Sequence, residues 1–364
     1  PGQAQLRHDD PARPVPAELM RSFIYLGPEK IALRRVPVPQ PQPGELLVRV
    51  CTALTCGTDL KTYRRGHPKF PPPFAFGHEF GGEVVEVGAG VAAYHPGMRV
   101  TANVFAECGQ CFFCQRGQGN LCENLVYNFG AFSEYTIIPA SIVRRTTFEI
   151  PEWISYAEAA IVEPLTTVVH GQQRIAIQPG EVVAILGAGG PISLLHQQLA
   201  LRAGAAQVIA IGHSDTRLQV AQQLGAAVTI NAHTQDAVQV VRDLTAGYGA
   251  DVVIECAGTQ AAWETAVEVV RRGGRVLWFG GLPAGTRVSI DAARVHYGEI
   301  NLINIHGGTA ADSRAAFELI TSRALQVQPL ISDQLPLEQL EAALQKMARG
   351  EALKVAILPN LPDA

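Results

Sequence analysis

From Glu181 to Gly281 the chain repeats one pattern, an apolar run of strand length followed by a run of helical length. The runs read "EVVAILG", "SLLHQQLALRAG", "QVIAIG", "TRLQVAQQLGA", "AVTIN", "DAVQVVRDLTAG", "DVVIECAG", "AAWETAVEVVRRGG" and "RVLWFGG". Strands that alternate with helices are linked by crossovers, and crossovers build a parallel sheet with helices on both faces. This alternation predicts a doubly wound α/β domain over residues 165–306.

The flanking regions read differently. Residues 20–164 hold short β-like runs, "IALRRVPVP", "ELLVRVCTAL", "GGEVVEVG", "MRVTANV" and "FSEYTIIPA", punctuated by prolines such as Pro37, Pro39, Pro71 and Pro73. That is the pattern of an all-β, barrel-like domain. After residue 306 come two amphipathic helical stretches, near 313–324 and 337–349, and a closing strand "KVAILP". Two domains suit 364 residues. Residues 1–19 lack the apolar core of a signal peptide and read as a flexible tail. No run approaches the roughly 20 apolar residues of a membrane span. A net charge of −4 without a long basic run argues against nucleic acid. The default home is the reducing cytoplasm.

In that setting clustered cysteines favour metal over disulfides. Cys108, Cys111, Cys114 and Cys122 follow the spacing C-x2-C-x2-C-x7-C. A bacterial ferredoxin run would end C-x3-C-P, whereas here the last gap is seven residues and Glu123 follows. Four thiolates with two short gaps and one longer gap suit a tetrahedral structural zinc, closed to substrate.

"AILGAGGPISLLH" places glycines between a strand and a helix, where a dinucleotide needs close backbone approach to its pyrophosphate. The match to G-x-G-x-x-G is imperfect: Gly187 and Gly189 fit, but Ile192 fills the third slot, and the frame shifted by one reads Ala188, Gly190, Ser193. Pro191 follows the extra Gly190. At the end of the next strand, NAD enzymes usually carry an acid for the adenosine ribose. Gly212 stands there, followed by His213, Ser214, Asp215 and Arg217. The missing acid leaves room for a 2′-phosphate, with His213, Ser214 and Arg217 as contacts. Asp215 could instead reach the ribose from another angle, or cap the next helix. NADP is therefore expected to be accepted and weakly preferred, and Gly212→Asp to shift preference towards NAD.

Further metal-ligand types lie in "TCGTDLKTY" (Cys56, Thr58, Asp59), in "FGHEFGGEVVEVG" (His78, Glu79) and in "AAIVEPLTTVVHG" (Glu163). One thiolate, one imidazole and one carboxylate suit a catalytic zinc with an open position. Taken singly, each could equally be a buried thiol, a satisfied core histidine or a helix-end acid.

Together these motifs resemble the zinc-dependent medium-chain dehydrogenase/reductase family, the alcohol dehydrogenase-like proteins, from about residue 20 to the end. "VEPLTTVVHG" brings the chain nearest the polyol and threonine dehydrogenase branch, because Glu163 stands where horse-liver-type alcohol dehydrogenases have cysteine. The resemblance implies a GroES-like barrel over 20–164 and 307–364, a Rossmann domain over 165–306, and a cleft between them. It implies two zinc ions per chain, one catalytic and one structural, with NAD(P) as cofactor. Cys56 and His78 match the catalytic ligands. Glu163 matches the third position, directly or through water, and Glu79 the neighbouring acid that can itself be a ligand. Asp59 matches the acid that orients the ligand histidine, and Thr58 the hydroxyl that takes the alcohol proton. Lys61 departs from the pattern, since many relatives carry a proton-relaying histidine there, so the proton is expected to leave by water.

The expected activity is hydride transfer between a secondary alcohol or polyol, or its ketone, and NAD(P). Tyr63, Phe129 and "NIHGGT" are candidate selectors of substrate. The family pattern implies a homodimer or homotetramer. Two rivals keep the fold: a quinone or enoyl reductase without zinc chemistry, and a non-enzymatic, metal-stabilised interaction protein.

Overall fold

The structure is a computed structural model and describes residues 18–67 and 69–360. Most of the expected tail lies outside the described residues, and Leu19 already opens the strand Leu19–Gly27.

The described chain falls into two compact units. The first comprises the described residues up to Cys108, Asn124–Val162, and those from Asp333 onward. Its main sheet is antiparallel around the strand Leu46–Leu54, which pairs with Glu79–Val87, Tyr135–Ile138 and Lys354–Leu358. Glu79–Val87 pairs in turn with Arg99–Ala102, and that strand with Thr147–Glu149. The buried faces meet in one core that holds Tyr25, Val48, Phe76, Phe80, Phe132 and Ile357. The C-terminal strand Lys354–Leu358 lies beside Leu46–Leu54, so chain ends far apart in sequence share one sheet.

The second unit comprises Gly109–Glu123 and Glu163–Ser332. Among the described residues its sheet has six parallel strands, ordered Val228–Asn231, Gln207–Gly212, Val182–Leu186, Ala250–Glu255, Val270–Trp278, Asn301–Asn304. Numbered within the unit, this is the order 3-2-1-4-5-6 of a dinucleotide-binding sheet. Helices cover both faces, which explains why "VVAIL" and "VIAI" are apolar throughout rather than alternating.

Several boundaries differ from the sequence expectation, and the loop Gly109–Glu123, expected within the barrel domain, groups with the second unit. The "AAWETAVEVVRRGG" helix stops at Val269, and Val270 starts a strand whose first residue already pairs with Ala250. The break between units falls at Asp333 rather than at 307. The helix Ala310–Thr321 groups with the second unit, tied by a 3.4 Å contact between the Thr166 and Ser313 hydroxyls and by a 3.0 Å contact between His170 Nδ1 and Asp312 Oδ2.

Candidate active site and metal centres

Cys56 is the N-cap of the helix Gly57–Arg65. Its thiol sulfur accepts from the Thr58 amide at 3.4 Å, and its own amide donates to Asp59 Oδ2 at 2.9 Å. A helix N-terminus favours thiolate over thiol. The other oxygen of Asp59 lies 3.0 Å from His78 Nδ1, so one carboxylate fixes both the thiol's helix and the imidazole. With Nδ1 engaged, Nε2 is the nitrogen left for a metal. Glu79 opens the strand Glu79–Val87 and is wholly buried. Ligand atoms of Cys56, His78 and Glu79 all lie within 4.8 Å of one another. A thiolate, an imidazole and a carboxylate at that separation fit a zinc ion that keeps a position open.

Charge in this cluster is braced from behind. Lys354 Nζ donates to both Glu79 oxygens, at 2.7 and 2.5 Å, and to the Thr55 carbonyl at 3.1 Å. Burial pushes Glu79 above the usual carboxylate range, while Lys354 and then His78 pull it back. Burial likewise raises the Cys56 thiol, with the Glu79 charge adding to it. Burial opposes charge on His78, yet the Asp59 carboxylate outweighs it and holds the imidazole well above its ordinary value. Lys354 was not legible as a site residue, although one lysine opening an otherwise apolar strand was a signal.

Glu163, expected at the third position, is a buried residue of the first turn of the helix Val162–Ile175 in the second unit. Within the described cluster the carboxylate is Glu79. Thr58, Asp59 and His78 line a small cavity of about 20 Å³ together with Phe129. Tyr63, a candidate selector of substrate, donates its hydroxyl to Glu341 at 2.8 Å. The "NIHGGT" segment does structural work: the His306 carbonyl accepts from Asn120 at 3.0 Å, and Thr309 caps the helix Ala310–Thr321.

The second cluster joins Cys108, Cys111, Cys114 and Cys122, and every one of them is free of disulfides. Cys111 Sγ lies 3.5 Å from Cys114 Sγ and 3.8 Å from Cys122 Sγ. A zinc tetrahedron with bonds of about 2.3 Å has edges of about 3.8 Å, so these spacings fit that ion. Backbone amides of Cys114 and Glu123 lower the Cys111 thiol, which favours the ligating thiolate.

In the second unit the glycine loop takes a form that only glycine permits. Gly187 and Gly189 have φ of +77° and +83°. A β-carbon at Gly187 would lie 2.6 Å from the Ala257 amide nitrogen, and one at Gly189 would lie 2.6 Å from Arg217 Cβ. Gly190 caps the helix Pro191–Arg202, with Pro191 at its first position. Ser193, the last position of the shifted frame, accepts from the Gly190 amide at 3.0 Å through its hydroxyl. Ile192 is half-buried in the first turn. This half-buried helix start with tight glycines behind it fits a pyrophosphate.

At the strand end, a β-carbon on Gly212 would lie 2.8 Å from the Ala188 carbonyl oxygen. A side chain at position 212 therefore crowds the Ala188 carbonyl of the glycine loop, so Gly212→Asp shifts that loop as well as adding an acid. Arg217 is half-buried, and burial lowers its guanidinium. Ser214 contacts Thr216 at 3.0 Å, and Asp215 accepts from Asn231 at 2.7 Å. His213 packs its ring 4.4 Å from that of His233, a residue the sequence reading missed.

Known proteins share both halves of this architecture. A family model described as "Alcohol dehydrogenase GroES-like domain" matches residues 42–151, and one described as "Zinc-binding dehydrogenase" matches residues 191–322. A sorbitol dehydrogenase of Bacillus subtilis (strain 168) is 32% identical over 351 residues, covering 94% of this chain and 98% of that protein. An L-threonine 3-dehydrogenase of Symbiobacterium thermophilum is 37% identical over 361 residues, covering 95% and 99%. Among solved structures, a Sinorhizobium meliloti 1021 protein described as a zinc-binding dehydrogenase bound to NADP superposes with a TM-score of 0.87 at 33% identity, covering 94% of this chain and all of the other.

Proposed function

The chain belongs to the zinc-binding alcohol dehydrogenase family, and on that premise we propose that it transfers a hydride between a secondary alcohol or polyol, or the matching ketone, and NAD(P). The observation that carries this reading is the convergence of Cys56, His78 and Glu79 beside Thr58 and Asp59. Bound zinc would supply Lewis-acid polarisation of the substrate oxygen, and the nicotinamide would accept or donate the hydride.

The residues divide the remaining work. Cys56, His78 and Glu79 hold the metal, and Asp59 keeps the imidazole oriented for it. Lys354 compensates the Glu79 charge, so that this carboxylate can remain buried beside His78 and the half-buried Cys56. Glu163 is the further acid that this reading assigns to the metal's surroundings. Thr58 exchanges the alcohol proton. Lys61 is exposed, and solvent water carries the proton onward.

Gly187, Gly189, Gly190, Pro191 and Ile192 form the pyrophosphate turn. At the ribose end, Gly212 offers no carboxylate, while His213, Ser214 and Arg217, with His233, offer donors to a 2′-phosphate; this supports NADP as the preferred cofactor. Cys108, Cys111, Cys114 and Cys122 hold the structural zinc. The presence of a three-donor cluster beside Thr58 speaks against a reductase without zinc chemistry.

No described helix is long and apolar enough to cross a membrane, and seven free cysteines support a reducing compartment such as the cytoplasm. A homodimer or homotetramer belongs to the same reading and is checked by light scattering. The function is tested by following reduced nicotinamide with a panel of secondary alcohols and polyols, with both cofactors, on zinc-replete protein. Turnover lost in His78→Ala supports it. Absence of turnover with every alcohol and ketone, or full activity in that variant, sinks it.

A further inference from the structure

The wall beside His78 is aromatic to a degree that bears on which alcohol fits. Phe70, Phe74, Phe76 and Phe129 line the small cavity that Thr58 and His78 also face. These rings form one packed group. Phe70 meets Phe129 edge-on at 4.6 Å, Phe74 meets Phe129 at 5.4 Å, and Phe74 meets Phe76 at 6.3 Å. The His67 ring stacks on Phe70 at 4.5 Å and closes the group on its outer side.

Of the polar groups in the same wall, Asp59, His78 Nδ1 and His67 Nδ1 are committed within the protein, and the Thr58 and Thr62 hydroxyls complete the lining. Asp59 accepts from the Cys56 amide and contacts His78 Nδ1. His67 Nδ1 accepts from the Lys69 amide at 3.2 Å. A hydroxylated carbon arm needs a partner for each hydroxyl that it takes out of water, and an unpaired one is strongly disfavoured. The four rings supply none, and Thr58 is assigned to the reacting oxygen, which leaves the Thr62 hydroxyl for an arm that carries several. The cavity's volume of about 20 Å³ is near the minimum that holds a single water-sized group, so it suits a methyl arm.

Resting on the hydride-transfer reading, we propose that this pocket selects secondary alcohols, and the matching ketones, whose smaller arm is a methyl group, and that it discriminates against polyols. Phe70 and Phe129 are the specificity-determining residues. Phe129 is only half-buried, so a polar side chain there is tolerated by the fold.

The test measures kcat/KM of zinc-replete protein for 2-butanol, erythritol and sorbitol with the preferred cofactor. The expected result is a preference of roughly 10- to 200-fold for 2-butanol, the range that small changes of fit in an apolar pocket produce. Phe129→Asn should shrink that ratio by lowering turnover of 2-butanol and raising that of erythritol. Saturation-transfer NMR gives a readout apart from turnover: the 2-butanol methyl signals should gain transfer from the unmodified protein and lose it in Phe129→Asn. Polyols used as well as or better than 2-butanol, or methyl transfer unchanged in the variant, overturn the proposal while leaving hydride transfer standing. No turnover of any alcohol with either cofactor overturns both, so the two failures are distinguishable.

Discussion

The two cysteine-containing clusters are built on opposite plans. The four thiols of Cys108–Cys122 come from one short loop with two single-turn 3-10 segments, and three of them are only half-buried. Cys56, His78 and Glu79 come from a helix cap and a strand start, and Lys354 reaches Glu79 from 275 positions away. In the loop, the backbone amides of Cys114 and Glu123 favour the Cys111 thiolate. The buried cluster needs Asp59 behind its imidazole and a lysine behind its carboxylate. The difference teaches that a closed, four-thiolate site can be local, whereas a three-donor site with an open position must be held by the rest of the fold.

The largest expected effect breaks the comparison at its functional side. His78→Ala should abolish turnover and remove one zinc per chain, while NADP binding, measured by calorimetry, stays within about twofold, since distant sites act independently. Cys111→Ser should do the converse. It removes the other zinc and lowers the thermal midpoint, because metal binding is folding free energy in such lobes, while turnover per folded, zinc-loaded molecule is kept. If Cys111→Ser instead destroys turnover as completely as His78→Ala, the division of labour fails.

Lys354→Met sharpens the contrast in stability. Leaving Glu79 as an unpaired buried charge should cost about 3–5 kcal/mol in urea unfolding, and a loss under about 1 kcal/mol would mean that Glu79 is compensated otherwise. A smaller effect is expected from Asp59→Asn, which keeps the shape but weakens the hold on His78. Zinc affinity of the buried cluster should fall about 10- to 100-fold, with the four-cysteine lobe still loaded.

The smallest effect comes from outside both clusters. Glu255 is fully buried at the end of the strand Ala250–Glu255, and burial raises its carboxyl to about 7 from 4.5, against the pull of the Gly258 amide. A raised carboxyl stabilises the fold in its protonated form. That contribution is complete below pH 4.5 and is lost as pH rises to about 7. Glu255→Gln should flatten this fall in thermal midpoint. Unless it is subtracted, a pH-dependent loss could be credited wrongly to the metal sites.

Legibility followed the same divide. The lobe could be read from spacing alone because all its donors lie in one loop. The strand–helix alternation gave the second unit nearly element by element, because periodicity is a local property. Cys56 and His78 were each ambiguous by themselves, and only likeness to a family joined them. Lys354 and the approach of the Ala188 carbonyl to Gly212 were not legible, since both arise from pairing across the fold. The Glu341 partner of Tyr63 was not legible either, since it meets the tyrosine from the helix Leu340–Arg349.

The central claim is that one chain carries two zinc sites of unlike donor sets. Zinc-edge X-ray absorption with metal analysis on the unmodified protein tests it most directly. The account predicts two zinc ions per chain and a mixed shell, with sulfur at about 2.3 Å and nitrogen or oxygen at about 2.0–2.1 Å. His78→Ala should then hold one zinc with a shell of sulfur alone. A single zinc in the unmodified protein, or a variant that keeps both ions and the mixed shell, would contradict it.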